Sequence, residues 1–271
     1  MLPQTKGIRS SRFPRTTDAW VFPGDFTMKI KKTKTPVVIL AAGRGSRLGE
    51  LTEDKPKCLL EVAGSTMLER QIAAIKAVKK LSPVVVVTGF KHELVTDAVD
   101  DLILECYNRG WDKANNIASL GVAADAGWLD DGFVLFNADV VFKVEILEDL
   151  LSFERPCALV VDNVQRMGEE EMKVELDTAG RIAKIAKTLD PATAAGEYTG
   201  LAKFDKTGAA ALKNALALLL GEGRLGEWYE AAFQIMFSVH DVYPCYTKGR
   251  HWIEVDTPED LEQANMLFGG R

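Results

Sequence analysis

Four segments of this 271-residue chain carry side chains whose types and spacing suit phosphate chemistry. The first is Leu40-Ala41-Ala42-Gly43-Arg44-Gly45-Ser46-Arg47-Leu48, which continues an apolar run into a glycine loop. Glycines at such a place let backbone N–H groups come close to phosphate oxygens. Arg47 adds a planar fork of donors. The second segment is Lys55-Pro56-Lys57, whose lysine can reach the same phosphates. The third and fourth contribute one aspartate each, Asp139 and Asp256. Magnesium takes one or two carboxylates together with phosphate oxygens and waters, so two aspartates meeting at a triphosphate would hold it. Two familiar nucleotide motifs do not fit. A dinucleotide fingerprint needs a third glycine where Leu48 stands, and a Walker loop needs a Gly-Lys-Ser/Thr that is absent.

These residues need a scaffold that brings them to one edge. Segment 36–42 is continuously apolar and ends in glycines, as expected of a strand buried on both faces. Segments 83–88, 102–106 and 133–136 also read as strands. Helical periods fall at 67–80, 93–99, 115–127 and 144–151, the third with an Asn cap at its front. This alternation predicts right-handed crossovers and a mostly parallel sheet. Ligands of such sheets collect at the carboxyl ends of the strands, where the glycine loop and Asp139 both lie. From about residue 157 strands dominate, at 157–162, 173–176, 181–186 and 198–204. Helices return at 207–220 and 227–237, strands follow at 242–246 and 252–255, and a last helix starts at Pro258. Thr257 suits its cap and Pro258 its first position, which fixes Asp256 at a strand–helix junction. Trp228, Ala231, Ala232, Ile235 and Met236 form one helical stripe, with Tyr229 and Glu230 beside it. The fold class is α/β, a Rossmann-like mixed, mostly parallel sheet flanked by helices with a strand-rich second half.

Composition narrows the function classes. Hydrophobic residues make up 47% and charged residues 27%, the balance of a globular protein. No apolar run is long enough to span a membrane. The net charge of −6 argues against general nucleic-acid binding. Eight of the 33 Lys/Arg and two of the 39 Asp/Glu fall within residues 1–34, which read as a basic flexible arm ahead of a single domain at 35–271. The arm lacks the apolar stretch of a signal peptide. The spacing of Cys58, Cys106, Cys157 and Cys245 indicates neither a zinc site nor a disulfide framework, so a reducing cytoplasm is expected. His92, His240 and His251 have no metal-ligand spacing. Exposed edges in the strand-rich half could pair two copies as a homodimer.

Leu-Ala-Ala-Gly-x-Gly-Ser-Arg-Leu, then Lys-Pro-Lys and the Val62-Ala63-Gly64 turn, resembles the start of the nucleotidyltransferases that make sugar nucleotides and CDP-alcohols. The resemblance implies that Leu40, Ala41, Ala42, Gly43, Gly45 and Ser46 hold the phosphates of a nucleoside triphosphate. It implies that Arg47 and Lys57 stabilise charge as pyrophosphate leaves, and that Asp139 and Asp256 bind Mg2+. Members often show Asp-x-Asp at the first metal position; here it is Asn137-Ala138-Asp139, one charge fewer. Asn115-Asn116-Ile117-Ala118-Ser119-Leu120 resembles the Asn-Asn-x-x-Ser-Leu segment of phosphocholine-type cytidylyltransferases. Asn115, Asn116 and Ser119, with Gly89, would then contact the nucleotide and favour CTP. Lys187 matches a family lysine facing the acceptor's phosphate, and Glu197 and Tyr198 lie in a segment resembling the acceptor side. Trp228, Tyr229 and Glu230 would suit an amine or quaternary ammonium group. The alternatives are a sugar-1-phosphate nucleotidyltransferase using UTP, dTTP or GTP, and a non-catalytic nucleotide-binding module.

Overall fold

The computed structural model describes residues 34–100, 103–165 and 167–270. The predicted arm at 1–34 therefore lies, Lys34 apart, outside the described residues. Strand β1 (Thr35–Ala41) is followed by the small hairpin β2 (Glu61–Val62) and β3 (Ser65–Thr66), and then by helix α1 (Met67–Val78). Strand β4 (Leu81–Thr88), helix α2 (His92–Asp97), strand β5 (Ile103–Tyr107) and helix α3 (Asn116–Asp125) come next. Strands β6 (Phe133–Asn137) and β7 (Val140–Phe142) precede helix α4 (Val144–Ser152). The strand-rich half holds β8 (Ala158–Asp162), β9 (Lys173–Leu176), β10 (Ile182–Ala186) and β11 (Gly196–Phe204). Helices α5 (Lys206–Gly221) and α6 (Glu230–Met236), strands β12 (Tyr243–Tyr246) and β13 (Trp252–Glu254) and helix α7 (Pro258–Phe268) complete the chain.

Nine strands form one sheet with the path β10-β9-β11-β6-β1-β4-β5, and β8 and β12 extend it from the other side of β11. β1 pairs in parallel with β4 and β6, β4 with β5, and β8 with β12. β11 runs antiparallel to β6, β8 and β9, and β10 antiparallel to β9, so only β10 and β11 oppose the common direction. The mostly parallel sheet is thus as predicted. β1 shows why its sequence is apolar throughout. Val38 and Leu40 enter the core under α3, α5 and α6, while Val37, Ile39 and Ala41 enter the core under α1 and α4. Burial on both faces leaves no position for alternation.

Three local features depart from the sequence reading. The hairpin β2–β3 and strand β7 are too short to give a period. α6 begins at Glu230, so Trp228 lies before the helix and outside its period. The buried stripe is instead Tyr229, Ala232, Phe233 and Met236, while Trp228 is 44% exposed. Of the predicted caps, Asn115 accepts from Asn116 N, and Thr257 forms a full capping box with Asp260.

β11 joins the two halves. Its later residues pair with β6, its first residues with β9, and Gly200 between them has φ 82°. A side chain at Gly200 would meet Asn137 at 2.9 Å, so the bend needs glycine both for conformation and for space. On β9, Lys173 is fully buried, and its ammonium donates to Gly168 O, Glu169 O and Glu171 O, each at 3.0 Å. It ties down the turn ahead of β9. Lys173→Met, which keeps the volume but strands three carbonyls, should lower unfolding free energy by about 3 kcal/mol in a denaturant titration. A loss below about 1 kcal/mol would mean that water replaces the ammonium.

Candidate active site

Asp139 and Asp256 meet through strand pairing. β7 and β13 form an antiparallel ribbon in which Glu254 faces Val140, and Val255 N donates to Asp139 O at 3.0 Å. The ribbon so brings the turn before β7 against the residues after β13. The turn is clamped from α1, where the buried amide of Gln71 donates to Asn137 O and Val140 O, both at 2.8 Å. It is also held by Ala138 N donating to Leu40 O at 3.2 Å. Asp256 is fixed from its other side, since its own N–H and that of Thr257 donate to Asp260 Oδ2.

Lys57 completes the cluster. It opens a single 3-10 turn after Pro56, packed by buried Cys58, Leu59 and Leu60. Its ammonium donates to Asp139 Oδ2 at 2.8 Å and to Asp256 Oδ1, and Arg47 pairs with Asp256 Oδ2. Burial alone would lower the Lys57 pKa, but Asp139 and then Asp256 outweigh it and hold the ammonium well above the ordinary lysine value. Burial likewise pushes the Asp256 carboxyl up, and Lys57, with a smaller part from Arg47, pulls it below the usual range. Gly45 sits in the left-handed region at φ 77°, and a Cβ there would meet the Lys57 side chain at 2.9 Å. The glycine loop therefore rests directly on the lysine.

A third carboxylate belongs here. Oxygen atoms of Asp139, Glu254 and Asp256 lie within 4.8 Å of one another. Burial, followed by the charges of Asp139 and Asp256, raises the Glu254 pKa. Asp139 Oδ1 is buried without a hydrogen-bond partner. An orphaned carboxylate oxygen beside two further carboxylates fits a hard cation such as Mg2+. Sequence reasoning missed Glu254, although alternation along β13 sets it on the same side as Asp256. Asn137 is occupied otherwise: its Oδ1 accepts from the Tyr229 hydroxyl at 2.9 Å.

The remaining predicted residues divide. Leu40 and Ala41 are buried in the end of β1 and Ala42 just after it, and Gly43, Ser46 and Arg47 are exposed beyond. Asn115 bonds Asn116 N and Gly226 O, so its amide ties α3 to the segment before α6. Asn116 Oδ1 accepts from Tyr229 N at 2.9 Å, and the residue lines the main cavity. Ser119 is buried and accepts from Asn108. Space beside Gly89 is filled by Trp111 and Ala42, with a Cβ meeting them at 2.5 and 2.6 Å. Of the predicted base contacts, Asn116 alone lines this cavity.

That cavity has a volume of about 760 Å³. Arg47 and Asp256 line it together with Lys187, Glu197, Tyr198, Trp228 and Glu230. Five of the six predicted acceptor residues thus share one space. The exception, Tyr229, is fully buried in the core; its hydroxyl positions Asn137 and lies 3.2 Å from that of Tyr198. Lys187 stands 4.8 Å over the Trp228 ring and 3.5 Å from Glu170. Lys184 turns away to Glu175. Burial pushes Glu197 up to about 8, helped by Glu171 and Asp162. Burial also pushes Glu230 up to about 7, and its Oε2 has no partner.

The glycine loop, the lysine–carboxylate cluster and the parallel sheet together define a nucleotidyltransferase scaffold. The chain belongs to the MobA-like NTP transferase domain family, whose model matches residues 37–232. It is 28% identical over 256 residues to the CMP-5'-(3-aminopropyl)phosphonate synthase of Streptomyces rubellomurinus, covering 85% of this chain and 38% of that protein. The CTP:phosphocholine cytidylyltransferase of Streptococcus pneumoniae has the same fold, with TM-score 0.74 and 20% identity over 86% of this chain and 99% of that one. A UDP-glucose pyrophosphorylase of Acinetobacter baumannii follows at TM-score 0.67 and 13% identity, covering 87% and 93%. The chain spans about half the length of the first curated relatives it matches. Among the described residues no helix is long and apolar enough to cross a membrane.

The raised Glu230 pKa has a stability consequence. The folded state keeps this proton up to pH about 7, whereas an unfolded glutamate releases it near its ordinary value of 4.5. The unfolded state thus binds fewer protons between those values, and folding stability falls as pH rises through them. Glu230→Gln removes the penalty. Denaturant titrations at pH 5 and pH 8 should show wild type losing about 3 kcal/mol more than Glu230→Gln across that interval. Equal losses would mean that Glu230 ionises normally.

Proposed function

We propose that this chain transfers a cytidylyl group from CTP to a small phosphorylated or phosphonate acceptor bearing an amine, releasing pyrophosphate. The observation that carries the reading is one cavity lined both by Arg47 and Asp256 and by Glu230, whose buried Oε2 has no hydrogen-bond partner. A buried carboxylate with one oxygen left over suits a cationic group. The relatives named for aminopropylphosphonate and phosphocholine act in the same sense.

An oxygen of the acceptor's phosphate or phosphonate attacks the α-phosphorus of CTP in line. The new O–P bond forms as the bond to the bridging oxygen breaks, and pyrophosphate leaves with the electron pair. The acceptor is already anionic at neutral pH, so no residue need act as a base. The chain contributes position and charge. The glycine loop presents its N–H groups to the phosphates, and Arg47 and Lys57 turn from their aspartates to the β- and γ-phosphates. Asp139 and Asp256, with Glu254 beside them, would hold Mg2+, which would supply charge neutralisation at the α-phosphate. Lys187 faces the acceptor's anionic end, and Glu230, Glu197 and the Trp228 ring face its amine.

Pyrophosphate release with Mg2+ tests this, using CTP, UTP, ATP, GTP and dTTP against phosphocholine, 2-aminoethylphosphonate and glucose 1-phosphate. Turnover is expected with CTP and an amine-bearing acceptor. Turnover confined to glucose 1-phosphate would replace the acceptor reading with a sugar-phosphate one, and silence from a protein that binds nucleotide would favour a non-catalytic module. Lys57→Ala should lower kcat by about 10²–10³-fold in a folded protein. Glu230→Gln should raise KM for the amine acceptor about tenfold with kcat little changed, a decade being 1.4 kcal/mol.

A further inference from the structure

A second constellation of metal-ligating side chains stands at the other end of β8 from the cavity. Cys157 immediately precedes β8, whose last residue Asp162 lines the cavity. Asp205 is the N-cap of α5, and His240 follows the end of α6. Cys157 Sγ lies 3.4 Å from Asp205 Oδ1 and 3.3 Å from His240 Nε2, and the latter two atoms are 4.0 Å apart. Asp205 and His240 are 48 and 83 positions from Cys157 along the chain, so no sequence spacing announces them.

We propose that Cys157, Asp205 and His240 bind a divalent transition metal of the zinc type. A triangle with those three sides has a circumradius of about 2.1 Å, against zinc–ligand bonds of ~2.0–2.3 Å. An ion just off the plane of the three atoms meets all of them without movement of the backbone. The donor set of thiolate, imidazole and carboxylate selects a zinc-like ion over magnesium. The supporting contacts are those of a held ligand. Asp205 Oδ1 accepts from Gly208 N at 2.8 Å and Thr207 Oγ1 at 2.9 Å, which fixes the carboxylate. Gly208 leaves the room: a Cβ there would stand 2.3 Å from the Cys157 sulfur and 3.1 Å from His240 Nε2. Cys157 is fully buried, while the Asp205 and His240 side chains are partly exposed, so a water completes a tetrahedron from that side. On binding, the sulfur–hydrogen bond gives way to a sulfur–metal bond and the proton passes to solvent. The ion would pin the start of β8, the first turn of α5 and the far end of α6 to one another.

Cobalt(II) added to the chelator-treated full chain tests the site, because a thiolate ligand gives a charge-transfer absorption that carboxylates do not. The cluster of Asp139, Glu254 and Asp256 contains no thiol and stays silent in this band. One equivalent of Co2+ should produce the band, and Zn2+ should abolish it and raise the thermal midpoint. Cys157→Ser should remove the band. His240→Gln, at a partly exposed position and so tolerant of substitution, should weaken Co2+ binding at least tenfold and cancel the zinc-dependent midpoint shift. Absence of the band in wild type, its persistence in Cys157→Ser, or unchanged affinity in a folded His240→Gln would each overturn the proposal and leave a hydrogen-bonded thiol in the core.

Discussion

Lys57 lies between Asp139 and Asp256, largely out of water. Removing two aspartates and an ammonium from solvent costs several kcal/mol per ion, and their attraction recovers this only when all the partners are present. The cluster therefore constrains the structure around it. The β7–β13 ribbon must set two distant aspartates side by side, Gln71 must clamp the intervening turn, and Gly45 must be bare so that the loop can lie on the lysine stem. A hydrophobic pair of the same volume would give at least comparable stability. Retaining charge here is consistent with the proposed function, in which the lysine would turn to phosphate and the carboxylates to a cation.

Tyr229 links this cluster to the rest of the cavity. Its backbone N–H reads Asn116 at the front of α3, and its hydroxyl reads Asn137 at the end of β6. One buried aromatic residue thereby fixes the start of α6, from which Glu230 faces the cavity, relative to the strand that leads to Asp139. The departure from an acidic residue at position 137 is consistent with this arrangement. An amide oxygen accepts from the phenol without adding a fourth negative charge to Asp139, Glu254 and Asp256.

The parallel half was legible in the sequence because its signals are local. Apolar runs in β1 and β4, a glycine loop and helix caps each report on a few neighbouring residues. Lys57, Asp139 and Asp256 were found in the same way, by type and by place at strand ends. What escaped the sequence depends on contacts between distant segments. Glu254 joins the carboxylates only through ribbon pairing with β7. The exchange of Trp228 and Tyr229 between surface and core follows from where α6 begins, a boundary that α3 sets by holding Tyr229 N. Ser119 and Gly89 read as ligand contacts because hydrogen-bonding and small residues serve ligands and packing equally well, and the contacts with Asn108 and Trp111 come from segments the local pattern does not report.

β11 is shared by both halves of the sheet, bonding β6 on one flank through its later residues and β9 through its first. The bend at Gly200 separates these two pairings. Segments before β9 and before β11 thus hang from the near end of a strand whose far end is locked to the nucleotide half. Such an arrangement is modular in an evolutionary sense: insertions or new side chains between residues 163 and 195 can redraw the cavity wall while the strands that present the glycine loop keep their register. A lineage built on this plan can diversify its products at little risk to its fold.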